Sequence, residues 1–158
     1  MFTQVLKLLR LPMLLLVVFT IGRFYLGFRE VPYAPRGSSI FSIVVLNAIS
    51  CIYFGALSGK IMRMPWQATL MIGLILALFS QVLVLSATII SYEAQIKTSY
   101  FLHWDALNIP EGKILTLGEI IGIRVRGLLI GAPITSIITS FIGRGLGSLL
   151  LPSLEKKP

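Results

Sequence analysis

Residues able to do chemistry are few in this chain, and most stand alone. Arg124 and Arg126 lie within GEIIGIRVRGLLIGAP, Gly118 to Pro133, a stretch that otherwise reads as a membrane span. An arginine at the centre of a bilayer costs roughly 2.5 kcal/mol or more on insertion scales, so one that stays there is a functional candidate. At about 100° per residue, the two side chains point about 160° apart. One straight helix cannot aim both at a single anion or pore. Arg126 shares a face with Glu119 and with Arg144, which follows five whole turns later, roughly 27 Å and close to one hydrocarbon thickness. Arg126 and Arg144 are therefore expected as interface anchors at opposite headgroup levels, and Arg124 is left without an assigned role.

No catalytic constellation assembles from the remaining groups. Glu30, Glu93, Asp105, Glu111 and Glu119 fall at or beyond the ends of apolar runs, so no buried carboxylate pair is available for acid–base work. His103 is the lone histidine, and Asp105 two residues on is not a facing position on a helix. A structural role at the interface is expected for it, and haem between two histidines is excluded. Cys51 is single and central in an apolar run, which makes it a packing residue. The glycines of Gly143–Arg144–Gly145–Leu146–Gly147 lack the strand–turn–helix setting of a nucleotide loop. The expectation is no enzyme, no cofactor, no metal and no catalytic residue.

The elements that position these residues follow from composition. The chain has 158 residues, 56% hydrophobic and 13% charged, with a mean hydropathy of +0.89, far from the balance of soluble domains. The net charge of +8 is spread singly or in pairs at the ends of apolar runs, which suits membrane anchoring rather than nucleic acid. Spans are expected at about 11–28, 38–59, 66–92 and 117–150, the last with its hydrocarbon part at 127–143, and with one longer loop over 93–116. The fold class is an all-α integral membrane protein, one compact four-helix bundle over 1–158, with a short amphipathic N-terminal segment.

Local signals place the ends. Phe2, Val5, Leu6 and Leu9 share one face of the first ten residues, which are expected to lie in the interface. Pro12 suits a first helical turn, and Arg23, near the end of the first span, is expected to snorkel outward. Ser38 and Ser39 are the expected N-cap residues of the second span. Trp66 beside Pro65 and Trp104 in the loop are expected at headgroup level, with Tyr100 and Phe101. Glu93 and Lys97, spaced i, i+4, suggest that the third helix runs on past the membrane. Thr116-Leu117-Gly118-Glu119 fits a capping box that starts a helix at Leu117.

Packing signals are denser than chemical ones. Gly127, Gly131, Thr135, Thr139, Gly143 and Gly147 form a small-residue row at spacing four, the device by which membrane helices approach closely. Asn47 and Gln81 are the carboxamides deep in the spans, at matching depth, and are expected to hydrogen-bond to each other. The expected partners are the lipid bilayer and, through the small-residue face, other membrane subunits or a second copy, with no nucleic acid. The leading expectation is a non-enzymatic accessory or scaffold subunit. The alternative is a small channel or carrier lined by Thr135, Ser136, Thr139 and Ser140. Seven basic residues fall on each side, but the Lys60–Arg63 hairpin and basic tails favour cytoplasmic termini in a bacterial inner membrane.

Overall fold

The computed structural model describes residues 1–31, 33, 40–96 and 99–150. Among the described residues all regular structure is helical: α1 (Phe2–Leu8), α2 (Arg10–Phe28), α3 (Ile43–Lys60), α4 (Trp66–Glu93), a 3-10 turn (Tyr100–Leu102), α5 (Trp104–Leu107), α6 (Leu117–Arg126), a π-helical turn (Gly127–Gly131) and α7 (Ala132–Leu150). Four helical stretches are long and apolar enough to cross a membrane: Arg10–Phe28, Ile43–Lys60, Trp66–Glu93 and the continuous Leu117–Leu150.

Capping explains several boundaries. α6 starts behind the Thr116–Glu119 box, in which Glu119 N–H donates to Thr116 Oγ1 and the Glu119 carboxylate accepts from Thr116 N–H. The cap of α3 is Ser42, whose Oγ accepts from Val45 N–H; Ser38 and Ser39 lie outside the described residues. α4 stops at Glu93 instead of continuing, because Gln95 turns left-handed with φ 55° and Ile96 N–H closes back on Ser91 O. Lys97, its expected i, i+4 partner, is outside the described residues.

The helices differ from expectation in where they bury themselves. α1 keeps Phe2, Thr3, Gln4 and Lys7 exposed and docks its other side on the bundle. Val5 and Leu9 are fully buried in the same core as Leu16, Ile72 and Leu76, and α1 packs on α2 and α4. α2 buries Pro12, Leu16, Thr20, Arg23 and Gly27, a stripe advancing three or four residues at a time.

α3 and α7 form the most extensive helix pair, followed by α4 and α7. The buried face of α7 reads Pro133, Ser136, Ser140, Gly143, Gly147. Alternating steps of three and four keep such a seam against a neighbouring helix, whereas a strict row of four drifts around the cylinder. Of the row expected from sequence, Gly143 and Gly147 lie against α3, Thr135 is exposed, Thr139 is half-buried, and Gly131 faces open space. A Cβ at Gly143 would strike the Ile52 carbonyl, and one at Gly55 would strike that of Ser140. At Gly73 it would come within 2.7 Å of Ile137 Cα, so α7 also lies directly on the α4 backbone.

The seam gives a stability prediction. Gly143→Leu should destabilise the bundle by at least about 1 to 3 kcal/mol, because two backbones must separate. Gly145→Ala, with nothing within 4 Å of its added carbon, should be neutral or stabilising by up to about 1 kcal/mol through helix propensity. Midpoints of SDS-induced unfolding of the purified protein would measure both.

Candidate functional site: a polar cavity under the 99–108 loop

The π turn shapes the site. Pro133 lacks the N–H that the Leu129 carbonyl would accept from in an α-helix, and its ring crowds that carbonyl. The chain widens instead, and Ala132 N–H bonds to Gly127 O, five residues back. Below the turn α7 lies on α3 and α4. Above it, α6 makes its contacts with α4 and α5. A gap is left between the start of α3 and the end of α6.

The loop after α4 roofs this gap. Ser99 is fully buried, shares a 3.0 Å hydroxyl contact with Ser91 and accepts from Phe101 N–H at 3.2 Å. Phe101 is fully buried, and Leu107 is buried as well. His103 has a capping role, its Nδ1 accepting from Asp105 N–H at 3.3 Å while its ring packs on Tyr33 and Trp104.

Arg124 ties the loop to α6. Its Nη2 donates to Phe101 O at 2.8 Å and its Nη1 to Ala106 O at 3.1 Å. The residue is 9% exposed, and its Nε is buried without a hydrogen-bond partner. Among the described residues no carboxylate pairs with it. Arg23, expected to snorkel outward, instead turns inward on α2 at 3% exposure. Its guanidinium sits 4.8 Å from the ring centre of Tyr100 and 5.4 Å from that of Tyr33, within cation–π range. Turning inward exchanges a hydrated charge for two aromatic faces. Burial raises the Tyr33 phenol above its ordinary pKa, with Tyr100 and Asp105 adding to the rise and Arg23 opposing it.

Beneath Arg124 lies a cavity of about 320 Å³, walled by Asn47 of α3, Ser80 and Gln81 of α4, and Ser136 of α7, with Tyr100 and Ala106 above. Gly127 and Gly131 line it where a side chain would fill it. Asn47 and Gln81 therefore meet at one site, as their matched depths suggest, but not through each other. Asn47 Nδ2 donates to Ser136 Oγ at 2.8 Å, and its Oδ1 is buried with no partner. Gln81 reaches toward the π turn, its Oε1 3.7 Å from where a Gly127 Cβ would sit.

The lining carries amides, hydroxyls and a guanidinium, with no carboxylate, imidazole or thiol among the described residues. Such a set can hold and orient a polar ligand. The expected anchors are elsewhere. Arg126 and Trp66 are exposed, and Trp104 is 37% exposed. Arg144 bridges to the opposite end, donating to Thr69 Oγ1 at 2.8 Å and Met64 O at 2.9 Å. Arg126 and Arg144 thus occupy different surroundings, and the π turn breaks the even count of turns between them. Thr135 and Thr139 return their hydroxyls to the carbonyls of Gly131 and Thr135.

Sequence reasoning did not place Arg124, Arg23 and Tyr100 at one site. The available signal was Gly-x-x-x-Gly-Ala-Pro directly after Arg126, which marks a helix interruption beside a buried charge.

Arg124→Gln should free the roof. Amide exchange over Tyr100–Asn108 should rise roughly tenfold or more, the scale of one charged hydrogen bond, while the α3–α7 seam stays protected. Hydrogen exchange with mass spectrometry would read both regions. No protein-family model, curated protein or solved structure matches this chain.

Proposed function

We propose that the protein is an integral membrane protein that binds a small polar ligand in the cavity below Arg124, as a carrier or receptor rather than an enzyme. The observation that carries this reading is the cavity itself. A buried guanidinium, two carboxamides and the hydroxyls of Ser80 and Ser136 converge on about 320 Å³ of open space between apolar helices. That volume falls at the small end of ligand pockets, and unfilled polar space of this kind is costly to keep in a helix bundle. A π turn at the wall fits, since these are often found at functional sites.

Membrane insertion is supported by four apolar helical stretches and by large aliphatic residues on their outer faces, among them Leu14, Ile21, Ile49, Ile134 and Ile138. Lys7 and Arg63 border one recess, and Arg144 is bonded to the same hairpin. That basic end is assigned to the cytoplasm, with both termini. The assembly-subunit reading has less support, because Gly143 and Gly147 are used inside the bundle. A pore along Thr135 and Thr139 has less as well, because Ser136 and Ser140 of the same face are buried against α3.

Native mass spectrometry of protein extracted from its membrane in mild detergent tests the reading. Wild type should carry a small-molecule or lipid adduct that Gly131→Leu loses, since the added side chain enters the cavity mouth. Equal adducts on both would count against the cavity.

A further inference from the structure

We infer that the cavity binds a phosphate ester, as presented by a glycerol-phosphate lipid headgroup, with the phosphate beside Arg124. The inference rests on the ligand-binding reading above and adds the ligand's charge and chemistry.

Charge comes first. Arg124 is nine-tenths buried, two carbonyls engage its Nη atoms, and no carboxylate pairs with it among the described residues. A buried cation compensated only by dipoles is costly, and an anion in the adjoining space would relieve that cost. α3 begins at the same cavity with Ile43 and Val44 in its wall, so the positive end of that helix faces the same space.

Geometry narrows the anion. Donors and acceptors approach from three elements, Arg124 on α6, Asn47 on α3 and Gln81 on α4. Three directions suit a tetrahedral oxyanion better than a planar carboxylate, whose two oxygens lie in one plane.

The mouth points to the source. Val44 is 64% exposed, and Gly131 and Thr135 are exposed at the same cavity. The opening is on the helix flanks, where Ile134, next along α7 from the lining residues Gly131 and Ala132, is an exposed apolar side chain. A ligand with acyl tails can enter from that side and leave its tails outside.

The test is a titration of the purified full-length protein in neutral detergent, read by native mass spectrometry. The probes are dioleoyl-phosphatidylglycerol, dioleoyl-phosphatidylcholine and dioleoylglycerol, with glycerol 3-phosphate as a soluble competitor. Phosphatidylglycerol should bind roughly tenfold or more tightly than the other two lipids, and Gly131→Leu and Arg124→Gln should each weaken it by about tenfold. Gly131→Leu carries the weight, since it leaves the roof tether intact. Displacement by glycerol 3-phosphate would support the shared chemistry with a soluble source, and resistance to it would support the headgroup. Binding of dioleoylglycerol as tight as that of phosphatidylglycerol, and sensitive to Gly131→Leu, would overturn the anion while leaving the cavity a ligand site. Binding of all three lipids unaffected by Gly131→Leu would overturn both.

Discussion

The backbone of α7 rests directly on the backbones of α3 and α4, with no side chain between them at Gly55, Gly143 and Gly73. Backbones this close are held by van der Waals packing and by buried hydrogen bonds between short side chains. The consequences run along α7. Its buried residues are glycine, serine and proline, and short polar groups therefore meet at the seam. Ser136 accepts from Asn47, and Arg144 passes Gly59 to reach Thr69 and the Met64 carbonyl. Both contacts exist because the helices are near enough for short reach on one side and a long arm on the other.

The seam ends where proline and glycine end it. Close packing on α3 reaches up to Ser136, and above the π turn α6 makes its contacts with α4 and α5. The resulting gap is thus the geometric remainder of tight packing below and divergence above. What fills its rim is chemically specific: a guanidinium held by two loop carbonyls, an aromatic ring shared with a second arginine, and two carboxamides. Arg124 is both the tie that fixes the roof and the charge that the cavity presents, so loop order and ligand chemistry depend on one side chain.

Much of the frame was legible from residue order alone. Long uncharged runs set four apolar helices, the Thr116–Glu119 box set the start of α6, and angular arithmetic separated Arg124 from Arg126, which the structure finds buried and exposed respectively. Asn47 and Gln81, matched in depth by counting from the hairpin, border one cavity, but the hydrogen bond expected between them is not made, Asn47 donating to Ser136 instead. The inferences that succeed need only local geometry, helical rise and rotation, and the cost of charge in apolar surroundings.

Other features depended on which helix faces which. Residue counting places Arg23 within reach of the interface, and nothing in its neighbours says that Tyr33 and Tyr100 offer aromatic faces on the inner side. The four-residue row on the last helix is a property of an ideal straight helix, and the π turn at Pro133 removed the continuity it assumed. Sequence by itself determined the helical class, the apolar spans and the scarcity of reactive groups, because composition and period act locally. The tertiary structure alone decided that Arg124 turns inward over an open polar cavity, because that outcome depends on a loop folding back across a gap between helices more than 80 residues apart in the chain, as the Asn47–Ser136 separation of 89 shows.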